Sequence, residues 1–188
     1  MANFPSMPEH SRMRDMLMRF PERGAVLMHV AQQFLRGPSE LTTAEREIVF
    51  AFGSALNGCV FCHTSHKYTA AELGVDEAMW DGVIADLDTA PIDDRLRALL
   101  RYVRKLTLTP NAMAASDVSE VLTAGWSEDA LFDAICVCAF NNMMNRVVDA
   151  AGIVGTDAEH RESGVRLSTL GYDGTMEKAR DALSANAG

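Results

Sequence analysis

Apolar residues recur along nearly the whole chain at the three- and four-residue spacing of amphipathic helices. No stretch alternates convincingly between apolar and polar residues, which is the pattern of a half-buried strand. The breaks in the helical pattern fall at glycine, proline and capping residues, which commonly mark the ends of helices. The sequence therefore predicts an all-α fold, with helices at about 10–20, 22–35, 42–56, 59–73, 76–87, 91–106, 116–124, 127–151 and 175–184.

The third predicted helix begins with a capping signature and is apolar nearly all round. Thr42 is followed three residues later by Glu45, the spacing of a capping box. A helix with so few polar positions is expected in the core rather than on a surface. The pair Asn57-Gly58 then ends this helix in a turn. The chain is therefore expected to fold back into the next helix and form a helical hairpin.

The longest predicted helix, 127–151, is followed by a segment without a clear pattern. Within this helix, 134–140 is a run of seven apolar residues, which predicts burial in the core or in a subunit contact and so favours an oligomer. Its two cysteines are expected to pack inertly in the core. Between Gly152 and Gly174 the helical pattern dissolves. We interpret this segment as a glycine-rich, mixed-charge connection to the final helix.

Length, composition and charge limit the functions open to the chain. With 188 residues, of which 48% are hydrophobic, it is expected to form a single domain (1–188) with a substantial core. The net charge is −9 and the basic residues are scattered, so neither nucleic acid nor an anionic membrane is an expected partner. No segment resembles a signal peptide or a transmembrane helix, which predicts a cytoplasmic protein.

Two thiols and two imidazoles lie within eight residues, at Cys59, Cys62, His63 and His66. In a reducing cytoplasm, cysteines are reactive, metal-binding or buried rather than disulfide-bonded. On a helix, Cys59, Cys62 and His66 share one face, whereas His63 lies on another and is expected to face solvent. Cys62 falls in the first turn, where backbone N–H groups and the helix dipole are expected to lower its pKa. His66, one turn on, is placed to exchange a proton with the sulfur.

A carboxylate in the preceding apolar helix completes the candidate site. Glu47 is costly to bury unless it is paired. In a hairpin, residues equally far from the turn meet, and Glu47 lies about ten residues before the turn and His66 about eight after it. This pairing predicts a relay from Glu47 to His66 to Cys62, in which one group orients a base that lies within reach of a thiol.

These residues leave three interpretations open: a redox dithiol, a zinc site, and a pair of buried thiols at a helix junction. The Cys-x-x-Cys motif occurs in both redox and zinc proteins. The four potential zinc ligands are Cys59, Cys62, His63 and His66. Structural zinc sites usually take their second ligand pair from a distant segment, which this chain does not offer. The redox interpretation is therefore favoured, and no metal is expected.

The spacing of four residues resembles the signature of the AhpD-like alkylhydroperoxidases, which belong to the carboxymuconolactone decarboxylase superfamily. These residues are Glu47, Cys59, Cys62 and His66, with eleven residues of apolar helix between the first two. The run 54–59 is also similar to that group. Two later segments resemble its peroxidase-related branch, 99–107 and 140–150. The resemblance covers about 20–155, which leaves 156–188 as a C-terminal extension with a final helix.

The resemblance implies a function and a role for each of these residues. Cys62 would match the thiol that attacks a hydroperoxide, and Cys59 the more exposed partner that resolves it as a disulfide. His66 and Glu47 would match the proton relay. The protein would then be a thiol-dependent peroxidase and disulfide oxidoreductase of antioxidant defence. It would reduce a hydroperoxide substrate with electrons from an external dithiol or protein reductant.

The resemblance also implies a homo-oligomer, a trimer or hexamer, that binds no organic cofactor. One departure from the family pattern is Val60-Phe61 between the cysteines, where the best-studied type has a histidine. Two alternatives remain. One is a non-redox enzyme similar to a carboxymuconolactone decarboxylase, although that branch typically lacks the paired cysteines. The other is a zinc-binding or structural interaction module.

Overall fold

The computed structural model describes residues 2–185, with side chains described for 2–175 and 177. All regular structure in this part of the chain is helical, which confirms the predicted all-α class. Within the same residues, no helix is both long and apolar enough to cross a lipid bilayer. The α-helices described are α1 (Met13–Arg19), α2 (Pro21–Arg36), α3 (Thr43–Leu56), α4 (Val60–Glu72), α5 (Met79–Ala85), α6 (Asp94–Leu108), α7 (Ala115–Thr123), α8 (Glu128–Ala151) and α9 (Asp157–Ala185).

The hairpin of α3 and α4 forms as predicted, with the capping box at its start. The Thr42 backbone N–H donates to Glu45 Oε2 at 2.7 Å, and the Glu45 N–H donates to Thr42 Oγ1 at 3.1 Å. Each residue thus satisfies a backbone N–H of the other. At the turn, Gly58 has a φ of 72°, which glycine adopts without strain. The chain then reverses, and α4 packs against the largely buried α3.

The long helix α8 begins and ends where its sequence signals predict. The Ser127 hydroxyl oxygen accepts a backbone N–H of the first turn at 3.0 Å, and Gly152, with a φ of 69°, ends the helix. In the middle of α8, the buried Asn141 and Asn145 each donate from Nδ2 to Ser54 Oγ of α3, at 2.6 and 3.0 Å. These hydrogen bonds fix α8 against the end of the hairpin that carries the cysteines.

One face of α8 stays at the surface. Phe132 is 64% exposed and Met143 is 43% exposed. Cys138 is buried, as expected, whereas Cys136 is only partly buried. The expected burial of 134–140 in the core therefore applies to one side of the helix. A subunit contact on its other side stays a prediction.

The predicted irregular connection between Gly152 and Gly174 is wrong, because most of it belongs to helix α9. At Gly164, a Cβ would lie 2.9 Å from the backbone carbonyl carbon of Tyr68, so the glycine lets α9 pack directly on the backbone of α4. At Gly171 the φ is 66° and the helix kinks. Glycines that indicate helix ends in the sequence are here a close packing contact and a kink.

The kink of α9 is held by Gln32 of α2. Gln32 Oε1 accepts the backbone N–H groups of Tyr172 at 2.8 Å and of Asp173 at 3.4 Å. A Cβ at Gly171 would lie 2.7 Å from that same oxygen. The kink therefore places the side chain of Tyr172 in the core, between α2 and α4, against which α9 packs.

We predict that Gly171→Ala destabilises the protein by about 1–3 kcal/mol, because the new Cβ meets Gln32 and the backbone conformation is strained for alanine. Urea denaturation followed by circular dichroism measures the free energy of unfolding. Gly174→Ala lies in the same helix at a glycine without positive φ and is the control. It is expected to change the stability by less than about 1 kcal/mol. Equal effects of the two substitutions would contradict this role of the kink.

Candidate active site

The two cysteines of the Cys-x-x-Cys motif lie at the start of α4 but differ in their access to a cavity. Cys59 precedes the helix, and its N–H donates to the Ser54 carbonyl at 3.0 Å, which holds it against the end of α3. Cys59 is 0% exposed, whereas Cys62 is 3% exposed and lines the cavity. The expectation that Cys59 is the more exposed thiol is therefore wrong. Cys59 is not part of the cavity lining.

The pKa of Cys62 is raised well above its ordinary value, contrary to the lowering expected in a first helical turn. The largest cause is the hydrogen bond with the Cys59 thiol, followed by burial. A second sulfur in contact and the loss of hydration both disfavour a thiolate. A hydrogen bond with the Asn145 side chain favours it but only partly offsets them. Cys62 is therefore a neutral thiol at neutral pH, and its ionisation requires a base.

The buried carboxylate of Glu47 binds side chains from three other helices. His66 Nδ1 of α4 lies 2.5 Å from Glu47 Oε2, so the structure brings together the two residues whose pairing the sequence predicts. At the other oxygen, Oε1, the carboxylate accepts hydrogen bonds from Arg36 Nη2 at 2.7 Å and from the Tyr172 hydroxyl at 3.1 Å. Glu47 is thus bound on both of its oxygens.

These partners decide the charge of Glu47. Burial alone would raise the pKa of this carboxyl, but the charges and hydrogen bonds of His66 and Arg36 outweigh burial, and the pKa of Glu47 lies below its ordinary value. An ionised carboxylate can only accept hydrogen bonds, so Nδ1 of His66 carries a proton and Nε2 is the nitrogen left to receive one. Glu47 therefore fixes which nitrogen of His66 can act as a base.

Phe50 fixes the plane of the His66 ring. The two rings stack with centroids 3.6 Å apart and an angle of 16° between their planes. Phe50 lies three residues after Glu47 on α3, so one face of this helix both orients the imidazole and supports it. The ring of Tyr172 lies nearly parallel to the imidazole as well, with centroids 6.4 Å apart. Glu47 therefore holds the imidazole at its edge, through Nδ1, and Phe50 packs against its face.

Arg36 and Tyr172 are site residues that the sequence analysis missed. Arg36 ends α2, where a basic residue is common and gives no sign of a functional role. Tyr172 lies in the segment interpreted as irregular, where no helical pattern marked it as buried. Their cation–π contact, with the Arg36 guanidinium 5.1 Å from the centre of the Tyr172 ring, joins them to each other as well as to Glu47.

His63 does not face solvent as expected. Its Nδ1 lies 3.0 Å from the carbonyl oxygen of Ala51, and its ring meets the Trp80 ring edge-on at 5.4 Å. Burial lowers the pKa of His63. His63 thus binds α3, and His66 binds Glu47. In the described part of the chain, no three His, Cys, Asp or Glu side chains are arranged to hold a metal ion.

The cavity beside Cys62 has a volume of about 320 Å³. Cys62, Ser65 and His66 of α4 lie in one wall. The rest of the lining is largely apolar and comes mainly from Met13, Leu17, Met18, Met28, Phe50, Phe61, Phe140, Met144, Val154 and Leu167. Charged side chains also contribute, from Arg12, Arg14, Glu159, Glu162 and Arg166. The arrangement presents a thiol and a base to a small apolar chamber.

The lowered pKa of Glu47 predicts a pH dependence of stability. A carboxyl whose pKa is lower in the folded than in the unfolded chain stabilises the fold fully above its unfolded pKa. This contribution is lost as the pH falls through the folded pKa. Since the pKa of Glu47 is lowered in the fold, Glu47→Gln is expected to lose stability less steeply than the wild type below about pH 4.3, the ordinary pKa of glutamate.

Urea denaturation between about pH 3 and 7 measures this dependence. Glu22→Gln, which changes an exposed glutamate of α2, is the matched control and is expected to follow the wild-type curve. If the free energies of unfolding of the wild type and of Glu47→Gln fall in parallel as the pH is lowered, the Glu47 charge does not stabilise the fold.

Comparisons with known sequences find relatives without a stated function. No family model matches the chain. Two relatives from strains of Mycobacterium tuberculosis, each named an uncharacterized protein, are 30% identical over 129 residues. The match covers 68% of this chain and 43% of each relative. The chain therefore spans less than half the length of these relatives.

Comparisons with solved structures agree on the fold. A peroxidase-related protein from Silicibacter sp. TM1040 has a TM-score of 0.72 and 24% identity, over 78% of either chain. A protein from Ralstonia eutropha JMP134, described as an alkylhydroperoxidase AhpD core, has a TM-score of 0.73 and 22% identity, over 80% of this chain and 78% of that one. The debrominase Bmp8 with 2,3,4-tribromopyrrole has a TM-score of 0.68 and 14% identity, over 80% of this chain and 79% of that one. The chain has the fold of the AhpD-like peroxidase-related proteins.

Proposed function

We propose that the protein is a thiol-dependent peroxidase that reduces hydroperoxides through a Cys62 and Cys59 dithiol–disulfide cycle. One observation carries this proposal: the Cys62 thiol and the His66 base line the same cavity, and the buried Cys59 lies three residues before Cys62 at the start of the same helix. A nucleophile, a base and a resolving thiol are the groups that such a cycle needs. Glu47 completes it by orienting the base.

The first half of the cycle is the attack on the peroxide. His66 Nε2 takes the proton of the Cys62 thiol, and the negative charge of Glu47 stabilises the resulting imidazolium. The Cys62 thiolate attacks the terminal oxygen of the hydroperoxide ROOH, and the O–O bond breaks. The sulfur is oxidised by two electrons to a sulfenic acid, while the leaving alkoxide takes the proton from His66 and departs as an alcohol.

The second half forms and reopens the disulfide. The Cys59 thiol attacks the sulfur of the sulfenic acid, and water leaves as the Cys59–Cys62 bond forms. An external dithiol or protein reductant then returns two electrons. Because Cys59 has no exposed surface and Cys62 lines the cavity, the reductant attacks the sulfur of Cys62 through the cavity.

The cavity also favours a substrate class. A largely apolar chamber of about 320 Å³ gains free energy from burying a hydrocarbon group and offers little to hydrogen peroxide alone. We therefore propose an organic hydroperoxide as the substrate. For the intact protein we also propose the cytoplasm as its location and a homo-oligomer as its state, with the exposed α8 face at Phe132 and Met143 as a subunit contact.

The test is hydroperoxide turnover with dithiol donors. Cys62→Ser is expected to abolish turnover. Glu47→Gln is expected to lower its rate about a hundredfold, because the base loses its orienting charge. Cys59→Ser is expected to reduce one equivalent of peroxide and then stop with a sulfenic acid on Cys62, which a dimedone label detects by mass spectrometry.

Cys136→Ser is the matched control, since this half-buried thiol of α8 is not part of the cavity. It is expected to turn over peroxide at the wild-type rate. Unchanged turnover in Cys62→Ser would disprove the mechanism.

A second candidate is reductive dehalogenation, which the fold shared with the debrominase Bmp8 and the apolar cavity favour. The Cys62 thiolate would take the halogen of an aromatic halide, and the ring carbon would keep the electron pair and receive the proton from His66. Cys59 would then displace the halide ion from Cys62 to form the same disulfide. Bromide release from 2,3,4-tribromopyrrole with a dithiol donor tests it. Release that is lost in Cys62→Ser, without peroxide turnover in the wild type, would replace the first candidate by the second.

A further inference from the structure

Ser65 and His160 form a second polar pair in the cavity that contains Cys62. Ser65 Oγ of α4 lies 2.8 Å from His160 Nδ1 of α9. Ser65 is 7% exposed and His160 is 5% exposed, and both line the cavity. Ser65 follows Cys62 by three residues, and residues at this spacing share a helix face. The hydroxyl and the reacting sulfur therefore lie in the same wall.

Close contacts fix the His160 ring. Gly155 lies so near that a Cβ there would be 2.8 Å from both Cε1 and Nε2 of the imidazole. The Phe61 ring meets it edge-on, with centroids 4.9 Å apart. Phe61 is one of the two residues between the cysteines, Val60-Phe61, where the resemblance leads one to expect a histidine. In this chain an imidazole instead reaches the same cavity from α9.

The surroundings of His160 decide the direction of its hydrogen bond with Ser65. Burial lowers the pKa of His160 and outweighs the opposite effects of Glu159, Asp157 and the Gly155 backbone, so its ring is neutral at neutral pH. Nε2 lies on the side of the ring that faces Gly155. We assign the proton of the neutral ring to Nε2, so that Nδ1 holds the lone pair and the Ser65 hydroxyl donates to it. The Ser65 oxygen keeps lone pairs that can accept a hydrogen bond from a ligand in the cavity that Ser65 lines.

We propose that Ser65, oriented by His160, binds the O–H of the hydroperoxide and aims its terminal oxygen at Cys62. This inference rests on the peroxidase function proposed above. Ser65 accepts the O–H of ROOH, and His66 protonates the other peroxide oxygen as it leaves. The two oxygens are thereby distinguished: the terminal one forms the bond to sulfur, and the one that carries R departs as the alcohol. Ser65 contacts substrate, whereas His160 is a positioning residue that acts through Ser65.

A purely structural bond between Ser65 and His160 would join α4 to α9 without affecting ligand binding. Binding must therefore be measured apart from both stability and turnover. The parent for this measurement is Cys62→Ala, which cannot react with a peroxide at this position. The probe is cumene hydroperoxide, and its dissociation constant is measured by isothermal titration calorimetry, with the melting temperature recorded for each variant.

In this parent, Ser65→Ala and His160→Ala are each expected to weaken binding about tenfold, the size of one lost hydrogen bond. Combining them is expected to weaken binding no further, because His160 acts through Ser65. The controls are Ser119→Ala and His29→Ala, which change exposed residues of α7 and α2 and are expected to bind as the parent does.

Three results would overturn the inference: unchanged binding in Ser65→Ala, losses that multiply in the double variant, or a parent that does not bind the probe. Turnover by the protein with Cys62 intact separates this inference from the proposed function. If Ser65→Ala turns over cumene hydroperoxide as fast as the wild type, this inference is wrong and the peroxidase proposal stands. If the wild type does not turn over but binding depends on Ser65, the peroxidase proposal is wrong and the binding site stands.

Discussion

The ionised side chain of Glu47 has no exposed surface, and a buried charge costs several kcal/mol unless the protein replaces its lost hydration. Here the replacement comes from Arg36, His66 and Tyr172, one each from α2, α4 and α9. Removing any of them leaves this fully buried carboxylate short of a partner. The charge of Glu47 on α3 therefore fixes the positions of α2, α4 and α9 relative to α3.

In the mechanism that we propose, the same charge also acts on the thiols without touching them. Cys62 is held in its neutral form by its neighbour Cys59 and by burial, so a resting thiolate does not account for reactivity. Instead, Glu47 prepares His66 to receive a proton, and Phe50 keeps the ring in place. In that proposed mechanism, the reactivity of Cys62 depends on the base His66, whose orientation the fold sets, and on a substrate bound beside both groups.

Local signals in the sequence are sufficient to predict those features of the structure that depend on interactions between neighbouring residues. The capping box at Thr42, the turn at Gly58 and the start of α8 at Ser127 each involve residues within a few positions of one another. The pairing of Glu47 with His66 was also predictable, because a hairpin relates the two helices by simple geometry. Its energetic reason, the cost of an unpaired buried carboxylate, is visible in the sequence alone.

The features that the sequence does not predict depend on contacts between distant segments of the chain. Gly164 and Gly171 have the composition of a loop, but the first permits close contact with Tyr68 and the second makes a kink that Gln32 stabilises. No periodic pattern reveals such roles. The pKa direction of Cys62 was missed for a similar reason. The effect of a helix start is general, whereas the contact with Cys59 inside a buried pocket is specific to this packing and outweighs it.

The close fit at Gly164 has a consequence for the composition of the site. The contact there joins the backbone of α9 to that of α4, and α9 also packs Leu167 and Tyr172 into the core. Arg36 and Tyr172 lie more than a hundred residues apart, so their meeting also closes a long loop at an entropic cost. Tyr172 and His160 reach the cavity because α9 packs on the hairpin that carries both cysteines. The site is thus assembled from two distant parts of the chain: the α3–α4 hairpin supplies the thiols, Glu47 and His66, and α9 supplies Tyr172 and His160.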